Sequence, residues 1–368
     1  MRSHHSRYIP QLDHLRFFAA MLIVVFHIFN GEFHQLFHRL HFDVGVTMFF
    51  TLSGFLFFNI AINSQYKIIY KKFILNRFLR IYPMIIFLFF LLVVLIKDFT
   101  FIDYLNLFSL NFPGTKVISW GAGDWGYQYL SFNWWTIGIE FVFYLVFPFL
   151  FQFYKANGIK YLWSVLFLII FFRFGLFELK LSEYGFKMLS IKLNYSVVGN
   201  LDCFIVGMIA GHFYHFCLAK RLAAAREEHP VRVQFCFVCY VVAMWTFLIV
   251  YLDGFSQVLS PLVSSLLCAG CIVLYISSFS GESRYSRVLS YLGTLSFSIY
   301  LLHSFIGELV SLMHLDVLMQ QYTHIPLEYA KVGQFTLITL PLIIIISSIT
   351  YSTIEKPFLQ LRVNYFNC

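Results

Sequence analysis

Apolar residues along this chain come in long unbroken runs, not in the alternating or one-faced patterns of water-soluble strands and helices. Bounded by charged or turn residues, the runs predict spans near 15–31, 44–63, 82–97, 134–154, 161–177, 197–218, 232–252, 258–279, 290–313 and 334–354. Each is close to the roughly 20 residues a helix needs to cross a bilayer. Residues 98–133 carry no full span and leave room for a short re-entrant piece. The pattern predicts an all-α fold, a polytopic membrane helical bundle of about ten transmembrane helices. No repeat or low-complexity tract interrupts it, so residues 1–368 read as a single domain.

Composition agrees with the runs. The chain is 60% hydrophobic and 12% charged, where soluble domains have roughly 45–50% and 25%. The first run follows a basic start, but Asn30, Gly31, Glu32 and Phe33 after it offer no small-x-small cleavage site. It therefore reads as a retained span and not as a signal peptide. A net charge of +8 would suggest nucleic acid in a soluble protein. Here most Lys and Arg gather in alternate loops, which predicts cytoplasmic termini, a lipid environment and no nucleic-acid partner. Cys236/Cys239 and Cys268/Cys271 have metal-like spacing, yet each pair lies inside a span with no histidine nearby and reads as small apolar packing.

Polar residues within the runs carry the chemistry. In RFFAAMLIVVFH (16–27), Arg16 and His27 are eleven positions apart. On a helix that is about 1100°, about 20° beyond three turns, so they share one face roughly 16 Å apart. Asp13, one turn before Arg16, can orient it. The alternative is an arginine reaching for headgroups and a histidine bonded to a carbonyl. Thr136, Glu140 and Tyr144 repeat at i, i+4 and i+8 and draw a polar stripe down the fourth span. Glu140 is expected to face the interior, with Arg173 of the next span as its structural ion-pair partner or with catalytic groups to orient. Ser296, Tyr300 and His303 share another face, and Asp202 is a lone acid inside a span. His34, His38 and His41 have helical spacing but no carboxylate or cysteine partners, so an interface position outweighs a metal site.

Several of these residues fall in ordered motifs. LDHLRFFAAMLIVVFH (12–27), DVGVTMFFTLSGFLF (43–57), FILNRFLRIYP (73–83), WTIGIEFVFYLVFP (135–148), LSFSIYLLH (295–303) and IEKP (354–357) occur in that order. Together they resemble the membrane acyltransferase-3 family, whose members commonly O-acetylate bacterial surface glycans. No hydrolase-like domain follows the last motif, so acyl handling is expected within the membrane domain.

The resemblance implies a multi-pass protein of the bacterial inner membrane. It would take an acetyl group from cytoplasmic acetyl-CoA, without a metal, and pass it to a glycan or lipid-linked sugar hydroxyl of O-antigen or exopolysaccharide type. Coenzyme A needs a basic mouth, which Lys67, Lys71, Lys72, Arg77 and Arg80 supply between the second and third spans. His27 is the candidate general base or, alternatively, the site of an acyl-histidine. Arg16, Ser53 or backbone near Gly54 are candidate oxyanion donors. Ser53 lacks a nucleophile elbow and also fits close helix packing. His303 is a candidate for acceptor binding or proton transfer. A proton-coupled transporter is the rival class, because buried His, Glu and Arg also build proton relays. A family member acting on a non-glycan acceptor is the other alternative.

Overall fold

The computed structural model describes residues 8–29, 39–64, 67–95, 105, 110, 134–178, 195–252 and 259–366. Among them the chain is helical. Helices α1 (Pro10–Ile28), α2 (Val44–Asn63), α3 (Tyr70–Leu95), α4 (Trp135–Asn157) and α5 (Ile159–Glu178) make the first half. Next come α6 (Val197–Phe213), α7 (Ala219–Glu228), α8 (Pro230–Tyr251), α9 (Ser260–Ser278), α10 (Arg284–Thr294) and α11 (Ser296–Ser311). The last are α12 (Leu315–Thr323), α13 (Leu327–Gln334), α14 (Leu340–Thr350) and α15 (Lys356–Gln360). Single π turns at Tyr214–Leu218, Phe335–Thr339 and Tyr351–Glu355 join α6 to α7, α13 to α14 and α14 to α15. Nine helices among the described residues are long and apolar enough to cross a membrane, and α10 with α11, bent by 61°, makes a tenth if counted as one span. The chain is a multi-pass, all-α membrane protein.

Lipid is as apolar as a leucine core, so helices in it associate through close fit, not through the hydrophobic effect. The α2–α6 contact shows how. A Cβ on Gly54 would strike the Phe204 carbonyl, and one on Gly207 would strike the Thr51 carbonyl. Two glycines, one from each helix, thus let the backbones touch. Phe57, Phe143, Phe147 and Phe204 then interlock beside this contact, with Phe143 and Phe204 centred 4.9 Å apart. In contrast, α8 turns Phe235, Val238, Val242 and Ile249 outward, toward lipid.

Three elements differ from the sequence reading. The third span begins at Tyr70 and not at residue 82, so Arg77 and Arg80 are helical. The polar heads among them hid a helix that continues underneath. The ninth is broken, with amphipathic α10 leading into α11. The sixth continues as helix through the π turn to Glu228. The re-entrant piece expected within 98–133 lies outside the described residues apart from two isolated positions.

Candidate active site

Two cavities share a wall inside the bundle. The wider, about 300 Å³, opens between the start of α1, the end of α2 and the start of α3. Arg16, Arg77, Arg80 and Arg362 line it, and among the described residues Asp13 is the one acid there. The narrower, about 40 Å³, lies deeper against Ser53, Thr136, Glu140, Ser296 and Tyr300. Arg16, Arg80 and Tyr144 border both and form the neck between them.

Each arginine is held differently. Arg16 donates to Asp13 at 3.2 Å across one turn of α1. The other carboxylate oxygen of Asp13 accepts from Tyr8 at 2.5 Å. Burial and then Asp13 itself push the Tyr8 phenol up to about 12, so it stays a donor. Arg77 lies over three rings, 4.7 Å from the centre of Phe57, 5.0 Å from Phe73 and 5.4 Å from Tyr144. Such a cage favours a cation, yet its buried Nε finds no hydrogen-bond acceptor among the described residues. Arg80 feels the carboxylates of Glu355 and Glu140. For Arg362, beyond the last span, burial and the charges of Arg80 and Arg77 push the guanidinium down to about 9. It is still cationic at neutral pH, but in a pocket with too much positive charge.

These positions follow from helical spacing. Phe73, Asn76, Arg77 and Arg80 fall at i, i+3, i+4 and i+7, on one face of α3. Lys72 is turned about 100° from Phe73 and is exposed, as are Lys67 and Lys71. Lys72 therefore lines neither cavity, and the arginines alone supply this part of the basic wall.

The polar stripe of α4 faces inward as expected. Thr136 donates to the Tyr300 hydroxyl at 2.7 Å. Glu140 accepts from Ser53 at 3.1 Å and also from the Tyr144 hydroxyl. Ser53 is thus a partner of Glu140 while its neighbour Gly54 does the close packing. The expected Glu140–Arg173 pair does not form. Arg173 instead pairs with Asp202 at 2.8 and 3.0 Å and donates to the Gly199 carbonyl. Helix α5 turns that arginine toward α6, away from the face where Glu140 lies.

Beyond the narrow cavity two histidines meet. His27 Nδ1 lies 3.0 Å from His303 Nε2, with the rings 17° from parallel. Their tautomers follow from one contact. His303 Nδ1 is 2.7 Å from the Tyr300 carbonyl oxygen, which only accepts, so Nδ1 carries the hydrogen. In the neutral ring, His303 Nε2 is then an acceptor, shared by His27 Nδ1–H and by the Ser304 hydroxyl at 3.1 Å. The lone pair of His27 Nε2 is left without a partner among the described residues. Ile23 and Tyr300, one turn before each histidine, line the narrow cavity, so the pair sits one turn past its end.

Two further features escaped the sequence reading. His14 is buried, bonded to the Tyr275 hydroxyl at 3.0 Å and to Ser286 and Ser290, and ties α1 to α9 and α10. Arg362 joins the cavity from the far end of the chain. Among the described residues no group of three or more His, Cys, Asp or Glu is placed to hold a metal ion. His34 and His38 lie outside the described residues.

Comparison with known proteins adds an independent line. The family model described as an acyltransferase domain matches residues 9–353. A putative peptidoglycan O-acetyltransferase of Bacillus subtilis is 27% identical over 166 residues, which is 40% of this chain and 24% of that protein. O-acetyltransferases of Staphylococcus aureus strains are 26% identical over the same length, covering 25% of their own. The matched region thus spans about a quarter of these relatives. No solved structure matches the chain significantly.

Proposed function

The chain belongs to this acyltransferase family, and from that premise we propose that it is an inner-membrane O-acyltransferase moving an acetyl group from cytoplasmic acyl-CoA to a glycan hydroxyl. The observation that carries the reading is a succession: a cavity lined by four arginines and, among the described residues, one carboxylate; a polar neck; a narrow cavity; and, one turn past it, the His27–His303 pair. With both termini cytoplasmic, the wide cavity opens to the cytosol. The diphosphate of coenzyme A neutralises Arg77, Arg80 and Arg362 there, and guanidinium forks suit its oxygens. The narrow cavity is small beside a pantetheine arm, so loading the donor must part the neck side chains.

The chemistry then follows from His27. Its Nε2 accepts the proton of the acceptor hydroxyl as that oxygen attacks the thioester carbonyl. His303 Nε2, accepting from Nδ1–H, holds the ring in the tautomer that leaves Nε2 basic and stabilises the imidazolium that forms. The tetrahedral intermediate collapses, breaking the carbon–sulfur bond. The departing thiolate takes the proton back from Nε2, giving the ester and free coenzyme A. The same lone pair also suits direct attack on the thioester, forming an acyl-histidine before transfer. Labelled acetyl-CoA without acceptor separates the two routes, since only the second leaves label on His27.

The acceptor is a bacterial surface glycan, of O-antigen or exopolysaccharide type, with peptidoglycan added by the names of the relatives. Mass spectrometry of polysaccharide and peptidoglycan from cells with and without the protein identifies it, by the loss of one acetyl unit per modified sugar. The rival, a proton-coupled transporter, makes the opposite prediction in vesicles: solute flux driven by a proton gradient, with no thioester turnover.

A further inference from the structure

After α15 the chain turns back across the start of α3. Asn76, buried inside α3, uses its side-chain amide on the backbone of Val363 at both ends. Its Nδ2 donates to the Val363 carbonyl at 2.7 Å, and its Oδ1 accepts from the Val363 N–H at 3.0 Å. Two residues on, the Ile69 N–H donates to the Tyr365 carbonyl at 2.7 Å. Ile68 and Phe366 then form an antiparallel bridge. The Tyr365 ring meets Phe73 edge-on at 5.3 Å. A buried amide given wholly to a segment 287 residues away is a specific clamp and not surface adhesion.

What the clamp holds is informative. Residues on either side of Val363, Arg362 and Tyr365, form one wall of the wide cavity, beside Arg16, Arg77 and Arg80. Gathering a fourth arginine onto three others costs stability, only partly relieved by the Glu355 carboxylate that acts on both Arg80 and Arg362, and an arriving anion would relieve the rest. Asp13, the one acid lining the cavity among the described residues, is already shared by Arg16 and Tyr8.

We propose that residues 361–366 form a wall of the donor site, in which Arg362 binds a phosphate of coenzyme A and Asn76 positions it through Val363. The inference rests on the reading of the wide cavity as the donor site. It assigns the tail a binding role that none of the ordered motifs contains, since they stop at Pro357.

The test uses the purified full chain in detergent, with binding of coenzyme A and of pantetheine, which has no phosphate, measured in parallel. Arg362→Gln is expected to weaken coenzyme A binding by about tenfold or more, the range of a charge-assisted hydrogen bond, and to leave pantetheine unchanged. Val363→Pro removes the N–H that Asn76 accepts without touching any arginine, and should weaken coenzyme A to a similar extent. The double variant should be little worse than either single one, because both remove the same contact. Asn76→Ala reports the same step if it folds. If wild-type protein binds coenzyme A and Arg362→Gln or Val363→Pro binds it equally well, the inference is overturned while the donor site stands. If wild-type protein binds no coenzyme A, the donor site and the inference fall together.

Discussion

Arg173 and Arg77 are both arginines set into apolar helices, and their surroundings differ in kind. Arg173 is 2% exposed against an Asp202 that is fully buried, and the pair is completed by the Gly199 carbonyl. Arg77 has three aromatic faces for its charge but no carboxylate bonded to it, and Arg80 and Arg362 crowd the same cavity. The first arrangement is complete within the protein; the second is short of an anion. An ionised group inside a membrane protein is a functional candidate by default, and the comparison supplies the criterion that divides such groups. A charge whose partners are all present holds helices together, whereas one lacking a counter-ion marks where a ligand belongs.

The largest effect that tests this division is on folding. Arg173→Met leaves Asp202 buried without its partner and should destabilise the protein by about 3–5 kcal/mol, as broken buried pairs do. Thermal unfolding in detergent measures it. Arg173→Met with Asp202→Leu should regain most of the loss, because both charges leave together. A mild single variant would erase the contrast between the two regions.

Substitution in the unpaired cluster should behave the opposite way. Arg77→Gln is expected to raise the KM for acyl-CoA by about tenfold or more, with the unfolding temperature unchanged or higher because like-charge repulsion is relieved. Arg80→Gln should raise KM alike but also takes a cation from the Glu140 and Glu355 carboxylates. Steady-state kinetics beside thermal unfolding separates the outcomes. A drop in stability without a change in KM would put these arginines in the same class as Arg173.

The smallest effect belongs to Ser53→Ala, which removes one of two hydrogen bonds to Glu140. A loss of about 0.5–1.5 kcal/mol is expected, seen as a turnover reduced by about tenfold at most.

Sequence alone reached some of these residues and not others, for identifiable reasons. The face shared by Arg16 and His27 and the stripe of Thr136, Glu140 and Tyr144 are properties of one helix, fixed by its period. The pairing of Asp13 with Arg16 is likewise local. Depth in the membrane is also legible, which is why Arg173 looked like a partner for Glu140. The direction in which α5 turns that arginine depends on packing against α6, and no local pattern encodes it. The same holds for His27 and His303, each visible as a polar group on an apolar helix, but not as a contact. Lys71, Lys72, Arg77 and Arg80 misplaced the start of the third span, because hydropathy reads charge as loop even where a helix continues. Arg362 carried no signal at all, since its place depends on a clamp between residues 287 positions apart.

Delivery of the donor to the free nitrogen of His27 is the step on which the whole mechanism depends. The most direct measurement compares His27→Ala with wild-type protein for coenzyme A binding and for thiol release from acetyl-CoA in the presence of acceptor. Binding should be unchanged, because the arginine cavity is intact, while release should fall by about 10²-fold or more, the range for loss of a general base. Thiol release at the wild-type rate from the folded variant would contradict the assignment.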